Sequence, residues 1–361
     1  MKRILSVILA SVMALTLLAG CGNNGGSNNG GDATMSVEVI AKGFQHDFWK
    51  AVKTGADNAA AELNVKVNFV GPEGEGAVAS QVEMLNNAIN KKPNAIALAA
   101  LDTSAAVDSI KNAMSANIPI IGFDSGVPDA PEGAIYANAA TDNLKAGELA
   151  AEKAFEAIKD KVVAAASGDV ARIGVVAQEA NSQSITQRTK GFVDKMVELI
   201  EALPEYGAGK VSVIGHDKFS NGVADAKIVL EVRIPAEITD AAAKTEAQAL
   251  LNKDDLICIY GSNEFAAKAI INANDAISGG RLGADKVIAV GFDSGALQID
   301  AIKTGVFYGA VTQDPVSIGY NAVKLAVEAA QGKEVADVDT GAQWYNAENV
   351  ESAEIAPLLY Q

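Results

Sequence analysis

Gly122-Phe123-Asp124-Ser125-Gly126 and Gly291-Phe292-Asp293-Ser294-Gly295 are one pentapeptide, Gly-Phe-Asp-Ser-Gly, written twice in a chain of 361 residues. Each copy closes a short apolar run, residues 118–123 in the first half and 287–292 in the second. Ahead of the first copy, Val- and Ile-rich runs at 37–41, 65–70 and 95–99 alternate with segments of helical spacing at 47–63, 78–90 and 104–116. The second half restarts the pattern with runs at 172–177, 211–214 and 256–260. Short, continuously apolar strands separated by helices are the signature of a parallel sheet covered on both faces. Two α/β lobes, each a doubly wound parallel sheet, are the expected architecture. In open α/β sheets a ligand lies beyond the carboxyl ends of the strands, which is where both pentapeptides fall. Asp124 and Asp293 are therefore expected to face each other across one shared cleft.

The run at 228–234 reads as a strand but follows too soon after 211–214 for simple alternation, and 217–226 is expected to be a loop or short helix between them. Within it, Asp217-Lys218-Phe219-Ser220-Asn221-Gly222 loosely resembles a calcium loop. It lacks the oxygen ligand at the third position and a closing Glu, so no metal is expected there.

The amino terminus decides location. Lys2 and Arg3 precede an apolar stretch at 4–18, which ends in Leu18-Ala19-Gly20-Cys21. About 15 apolar residues fall short of the roughly 20 that span a bilayer, and the arrangement fits a secretory signal at residues 1–20. A cysteine as first mature residue marks Cys21 for lipidation. Residues 21–35, rich in Gly, Asn and Ser, bury too little to fold and form a flexible tether. The body is thus expected at the outer face of the cytoplasmic membrane, held by lipid alone. Cys258, within the apolar run 256–260, is expected to be a core residue. About 340 residues remain after the signal, more than one core usually holds. A formal charge of -16 disfavours nucleic acid and anionic headgroups as partners.

Catalysis has little to stand on. His46 and His216 are the only histidines, and neither has a partner at metal-ligand or triad spacing. No Gly-x-Ser-x-Gly elbow, His-Glu-x-x-His or phosphate-binding lysine loop occurs. The stretch Gly74-Glu75-Gly76-Ala77-Val78-Ala79 loosely matches a dinucleotide turn, but Glu73 and Glu75 would repel a pyrophosphate, and a turn before a helix accounts for it better. Neither an enzyme activity nor a cofactor is expected.

Six motifs in order make the chain, from about Ser36 to its end, resemble the type I periplasmic binding proteins of the ribose-binding group, solute receptors of ABC sugar importers. They are Phe44-Gln45-His46-Asp47-Phe48-Trp49, Gly122-Phe123-Asp124-Ser125, Arg188-Thr189-Lys190-Gly191-Phe192, Gly261-Ser262-Asn263-Glu264, Val290-Gly291-Phe292-Asp293 and Thr312-Gln313-Asp314-Pro315. The resemblance implies two Rossmann-like lobes joined by a hinge that the chain crosses near Ala140, Gln313 and Gln343. The first lobe would take 36–140 and 314–342, the second 141–313 and 343–361. It further implies that Phe48 and Trp49 stack on a sugar ring, that Asp124 and Asp293 accept from its hydroxyls and that Arg188 donates. Asn263 and Gln313 would use both ends of their amides, and Phe292 would wall the pocket. Two positions depart from the group. Ser125 stands where an Arg is common and His46 where an Asn is usual, with Lys42 available as a replacement cation. The ligand is then a pentose, hexose or small polyol rather than ribose in particular.

The expected partners are the sugar, a membrane permease and its ATPase, with the receptor a monomer. A sensory module feeding a membrane kinase or chemoreceptor is the alternative. A transcription regulator shares the two-lobe core, but the export signal and the lack of a helix-turn-helix before Ser36 argue against it.

Overall fold

The computed structural model describes residues 34–44 and 46–360. The signal segment, Cys21 and most of the tether lie outside the described residues. In the first lobe β1 (Ser36–Ile40), β2 (Lys66–Val70), β3 (Ala95–Leu98), β4 (Ile120–Phe123) and β5 (Ile135–Ala140) enclose α1 (Asp47–Leu63), α2 (Val78–Asn90) and α3 (Val107–Ser115). In the second lobe, α4 (Asn143–Ala165) leads to β6 (Ala171–Val176), α5 (Gln183–Glu201), β7 (Val211–Ile214), β8 (Ile228–Arg233) and α6 (Asp240–Leu251). Then come β9 (Leu256–Gly261), α7 (Glu264–Asp275), β10 (Ile288–Phe292), α8 (Ala296–Lys303) and β11 (Gly309–Gln313). The chain returns to the first lobe through α9 (Pro315–Ala330) and β12 (Val338–Asp339), then adds β13 (Ala342–Tyr345) to the second.

The sheets run β12-β5-β4-β3-β1-β2 and β13-β11-β10-β9-β6-β8-β7. Among the described residues the named strands pair in parallel except β11 with β13, and the central strands β3, β4 and β10 are buried along their whole length. That burial explains why they read as unbroken apolar runs rather than alternating ones. The strand at 228–234 also finds its reason: β8 lies parallel between β6 and β7, so the second sheet gains a strand outside the simple order. Apolar clusters cover both faces of each sheet, Val39, Trp49 and Val323 on one side of the first and Leu85, Ile96 and Ile110 on the other. Cys258 is in the second lobe's core.

The chain passes between lobes at 141–142, at 314 and at 340–341. Two of these passages are tied together. Thr340 N–H donates to Ala140 O at 3.1 Å, Thr141 Oγ1 donates to Gly341 O at 3.0 Å, and Asp142 N–H donates to Asp339 Oδ1 at 3.1 Å. The third passage precedes the expected Gln343, because Gln343 is already paired with Thr312 inside the second sheet. Each helix that leaves the hinge starts on an aspartate cap: Asp142 accepts from Lys145 N–H and Asp314 from Ser317 N–H.

These two hinge helices each pack on one other helix of their lobe, α9 on α1 and α4 on α5, backbone to backbone. A Cβ on Gly55 of α1 would lie 1.9 Å from Val316 O, and one on Gly319 of α9 would lie 1.8 Å from Val52 O. The second lobe repeats the contact: a Cβ on Gly147 of α4 would lie 2.3 Å from Arg188 O, and one on Gly191 of α5 would lie 2.2 Å from Leu144 O. Only glycine permits this approach. In an open helix, Gly→Ala would stabilise by about 1 kcal/mol. Here Gly319→Ala and Gly191→Ala should instead destabilise by about 1–3 kcal/mol through overpacking. Gly222→Ala, which meets nothing within 4 Å, should stay within about 0.5 kcal/mol of the parent. Denaturant midpoints of the three variants check the contrast.

Candidate functional site

Both pentapeptides bend the chain in the same way at the end of their strands. Asp124 has φ 55° and Asp293 φ 68°, in the left-handed region that Asp tolerates better than most residues. Each aspartate's N–H caps the neighbouring strand, Asp124 to Ala139 O at 3.0 Å and Asp293 to Val311 O at 2.7 Å. The turn aims both carboxyls into one cavity between the lobes. The cavity left there is small, about 30 Å³. Lys42, His46, Phe48, Trp49, Glu75 and Asp124 line it from the first lobe; Ser184, Ile185, Arg188, Asn263, Glu264, Asp293 and Gln313 line it from the other side.

Lys42, expected as a replacement cation, is 4 % exposed and lies 3.2 Å from Asp124 Oδ2. It donates to Ser184 Oγ of the opposite lobe at 2.8 Å. Burial raises the Asp124 carboxyl above its ordinary pKa even though Lys42 and Arg188 favour its charge. Arg188, 2 % exposed, donates through Nε to Asn143 Oδ1 at 2.7 Å and approaches Asp293 Oδ2 at 3.3 Å. Its guanidinium lies 4.0 Å from the centroid of the Phe292 ring, a cation–π contact that holds the cation's plane. Phe292 is therefore a floor beneath Arg188 rather than a wall of the cavity. Ser125 also falls outside the lining: its Oγ accepts from Ser184 N–H at 3.2 Å, a bond from lobe to lobe.

Phe48 and Trp49 meet edge to face at 5.0 Å and are part of the first lobe's core as well as of the cavity edge. Trp49, 1 % exposed, donates Nε1 to Glu75 Oε1 at 2.8 Å. Glu75 Oε2 accepts from Gln178 of the second lobe at 2.7 Å, and Gln178 Oε1 accepts from Asn263 Nδ2 at 2.7 Å. Burial alone would raise the Glu75 pKa, but His46, Lys42 and the bonds from Gln178 and Trp49 bring it below its ordinary value. With its Oδ1 capping α7 at Ala266 N–H, Asn263 has both amide ends engaged within the protein. Gln313 donates to Asp293 Oδ1 at 2.6 Å, while its Oε1 is buried without a hydrogen-bond partner.

Sequence reasoning missed Glu75, Ser184, Ile185 and Glu264 as lining residues, with Gln178 and Asn143 behind them. Glu264 stood in plain view as the last residue of the Gly261-Ser262-Asn263-Glu264 motif. Glu75 was read only as an obstacle to phosphate. Glu264 lies 3.7 Å from His46 Nδ1, and its Oε2 is buried without a hydrogen bond. Burial, then the like charges of Asp293, Asp47 and Glu75, pushes its carboxyl up to about 8.

The chain matches the family described as periplasmic binding protein domain over residues 37–334. A solved structure from Brachyspira murdochii, described as an ABC transporter, LacI family transcriptional regulator, is 38% identical with a TM-score of 0.77, covering 91% of this chain and 99% of that one. An ABC transporter solute-binding protein of Agrobacterium vitis with bound D-fucose is 29% identical with a TM-score of 0.73, covering 90% and 100%. The ribose import binding protein of Bacillus subtilis is 23% identical over 341 residues, 93% of this chain and 95% of that protein.

A carboxyl whose pKa is higher folded than unfolded stabilises the fold most below its unfolded value, and that contribution is lost as pH rises through the folded value. For Glu264 the window runs from about 4.5 to about 8. Glu264→Gln should therefore gain stability relative to the parent as pH rises across that window, by a few kcal/mol at most, since each tenfold change in the carboxyl's proton affinity is worth about 1.4 kcal/mol. Urea unfolding of both proteins at pH 5 and pH 8.5 measures it; a difference that does not change with pH would assign the Glu264 carboxyl an ordinary pKa.

Proposed function

The chain belongs to the periplasmic binding protein family, and on that footing we propose that it is an extracytoplasmic, lipid-anchored solute-binding protein. It closes its lobes on a monosaccharide or similar small polyol and delivers it to an ABC importer made of a permease and an ATPase. The observation that carries this reading is the cavity: carboxyls, amides, a guanidinium and an ammonium converge from both lobes on a space edged by Phe48 and Trp49. Aromatic edges suit the C–H faces of a sugar ring, and paired carboxylates and amides suit its hydroxyls. The D-fucose bound to the Agrobacterium vitis protein supports the same ligand class.

The mechanism follows from where the contacts lie. Lys42 to Ser184, Gln178 to Glu75 and Gly126 N–H to Gln183 Oε1 at 2.9 Å all run between lobes, and they form only when the cleft is shut. A ligand touching Asp124 on one side and Asp293 on the other binds the shut form better than the open one, so it shifts the population toward closure. The permease then reads the closed pair of lobes. Trp49 and Phe48, fixed by Glu75 and by each other, give the ring a preformed edge. No described helix is long and apolar enough to cross a membrane. Attachment is assigned to lipid on Cys21, and the receptor acts as a monomer without chemistry on its cargo.

A thermal-shift screen of pentoses, hexoses and polyols tests the function. The cognate sugar should stabilise the protein by about 2.7 kcal/mol at a hundredfold excess over its dissociation constant. Asp124→Ala and Asp293→Ala should each weaken its binding by about 1.5–3 kcal/mol, as loss of a charge-assisted bond requires. Dependence on one aspartate alone would contradict a ligand shared between lobes, and a screen without any stabilising sugar would remove the function.

Cys21→Ala should move the protein from the membrane to the soluble fraction with its ligand affinity intact, as judged by cell fractionation and titration. Equal membrane recovery of variant and parent would exclude the lipid anchor.

A further inference from the structure

The corner of the cleft around Asp293 holds more acceptors than the protein's own donors fill. Asp293 Oδ1 takes the Gln313 amide at 2.6 Å, and Oδ2 takes Glu264 N–H and Arg188 Nη1 at 3.3 Å each. Gln313 is 1 % exposed, and its remaining atom, Oε1, has no hydrogen-bond partner; the same holds for Glu264 Oε2. Gln313 Oε1 is an acceptor and Glu264 Oε2 is one once its carboxyl ionises; both residues line the cavity, and both are bonded to the same aspartate.

Charge points the same way. The cavity presents four carboxyls, Glu75, Asp124, Glu264 and Asp293, against the two permanent cations Lys42 and Arg188. Lys42 is paired with Asp124, and Arg188 with Asp293. Glu264 is left with the His46 imidazole at 3.7 Å and with Lys268 on its own helix, itself paired to Asp240 at 2.8 Å. Asp293, Asp47 and Glu75 face it with like charge. A ligand hydroxyl would bring one donor and no charge to this corner. An ammonium would bring three donors and the positive charge that an ionised Glu264 needs beside it.

We infer that the corner formed by Glu264, Gln313 and Asp293 receives a protonated amino group, so that the preferred ligand is an amino sugar. This rests on the reading of the cleft as a sugar site and narrows it. Glu264 is ionised when the ammonium docks, and its proton leaves for solvent. N-acetylation of the ligand removes both the charge and two of the donors. Anionic sugars are repelled by the carboxyls already present.

Titration calorimetry of the full chain at pH 7 tests the inference. The panel is 2-, 3-, 4- and 6-amino-deoxyhexoses and amino-deoxypentoses, their parent sugars and their N-acetyl derivatives, each measured in two buffers of different ionisation heat. At least one amino sugar should bind tenfold or more tighter than its parent and its N-acetyl form, with net proton release. In Glu264→Gln the preference over the parent sugar should fall to within about threefold and the proton release should vanish. The comparison within the unaltered protein stands without the variant. If parent sugars bind and no amino sugar exceeds its parent, or if the preference comes without proton release, the amino-sugar assignment is overturned while the sugar receptor stands. If neither kind binds, both fall.

Discussion

The closest constraint in this molecule is the contact between two helix backbones, made once in each lobe. Gly55 with Gly319, and Gly147 with Gly191, bring α1 to α9 and α4 to α5 with no side chain between them. Because one partner in each pair comes straight off the hinge, the contact fixes where each lobe begins relative to its crossing. In the second lobe it also positions a side chain that lines the cleft. Arg188 is three residues before Gly191 and its carbonyl abuts Gly147, while Asn143, at the start of the hinge helix, holds the guanidinium through Oδ1. Arg188 is thus located by backbone packing below, by the Phe292 ring on its face and by Asn143 at its side. Such a cation loses little freedom on meeting a ligand.

The cleft floor is balanced electrostatically but not evenly. Lys42 and Arg188 each take one aspartate, so the two halves of the duplication carry matched ion pairs at their strand ends. Glu75 and Glu264 are added to that frame and are handled differently. Glu75 is surrounded by donors from both lobes and holds its charge. Glu264, at the first turn of α7 where a helix dipole would favour a carboxylate, is instead crowded by like charge and holds its proton near neutrality. Two glutamates lining the same ligand space therefore sit in opposite protonation states at neutral pH, a difference produced by neighbours alone.

The fold was legible because buried parallel strands leave an unbroken apolar mark, and the run at each of β1, β3, β4, β9 and β10 gave itself away. The strands β5, with Asn138 in mid-run, and β11, a short Gly-Ala-Val-Thr-Gln, carry no such mark, and their places come from tertiary pairing. The site divides in the same manner. Asp124, Asp293, Arg188 and Gln313 stand at strand ends or on motifs that the duplication and the family resemblance pick out. Glu75 and Gln178 come from loops, and their meeting depends on how the two lobes close. Ser125 and Phe292 sit inside the right motifs yet turn away from the ligand space, because a motif fixes a turn and not the direction of every side chain in it. Asn263 shows the same limit, its amide taken up by a helix cap and by Gln178.

The two tied hinge passages, at 141–142 and 340–341, have a mechanical consequence. Side by side and hydrogen-bonded to one another, they form a short ribbon, and with the third passage at 314 they fix a line. A body held at points along one line keeps a single easy rotation, about that line, while twist and sideways slip would break the bonds that tie the ribbon. The lobes therefore swing along one arc. At the end of that arc the two lobes present one stereotyped surface, so the outward reading of the molecule is binary: cleft shut or cleft open.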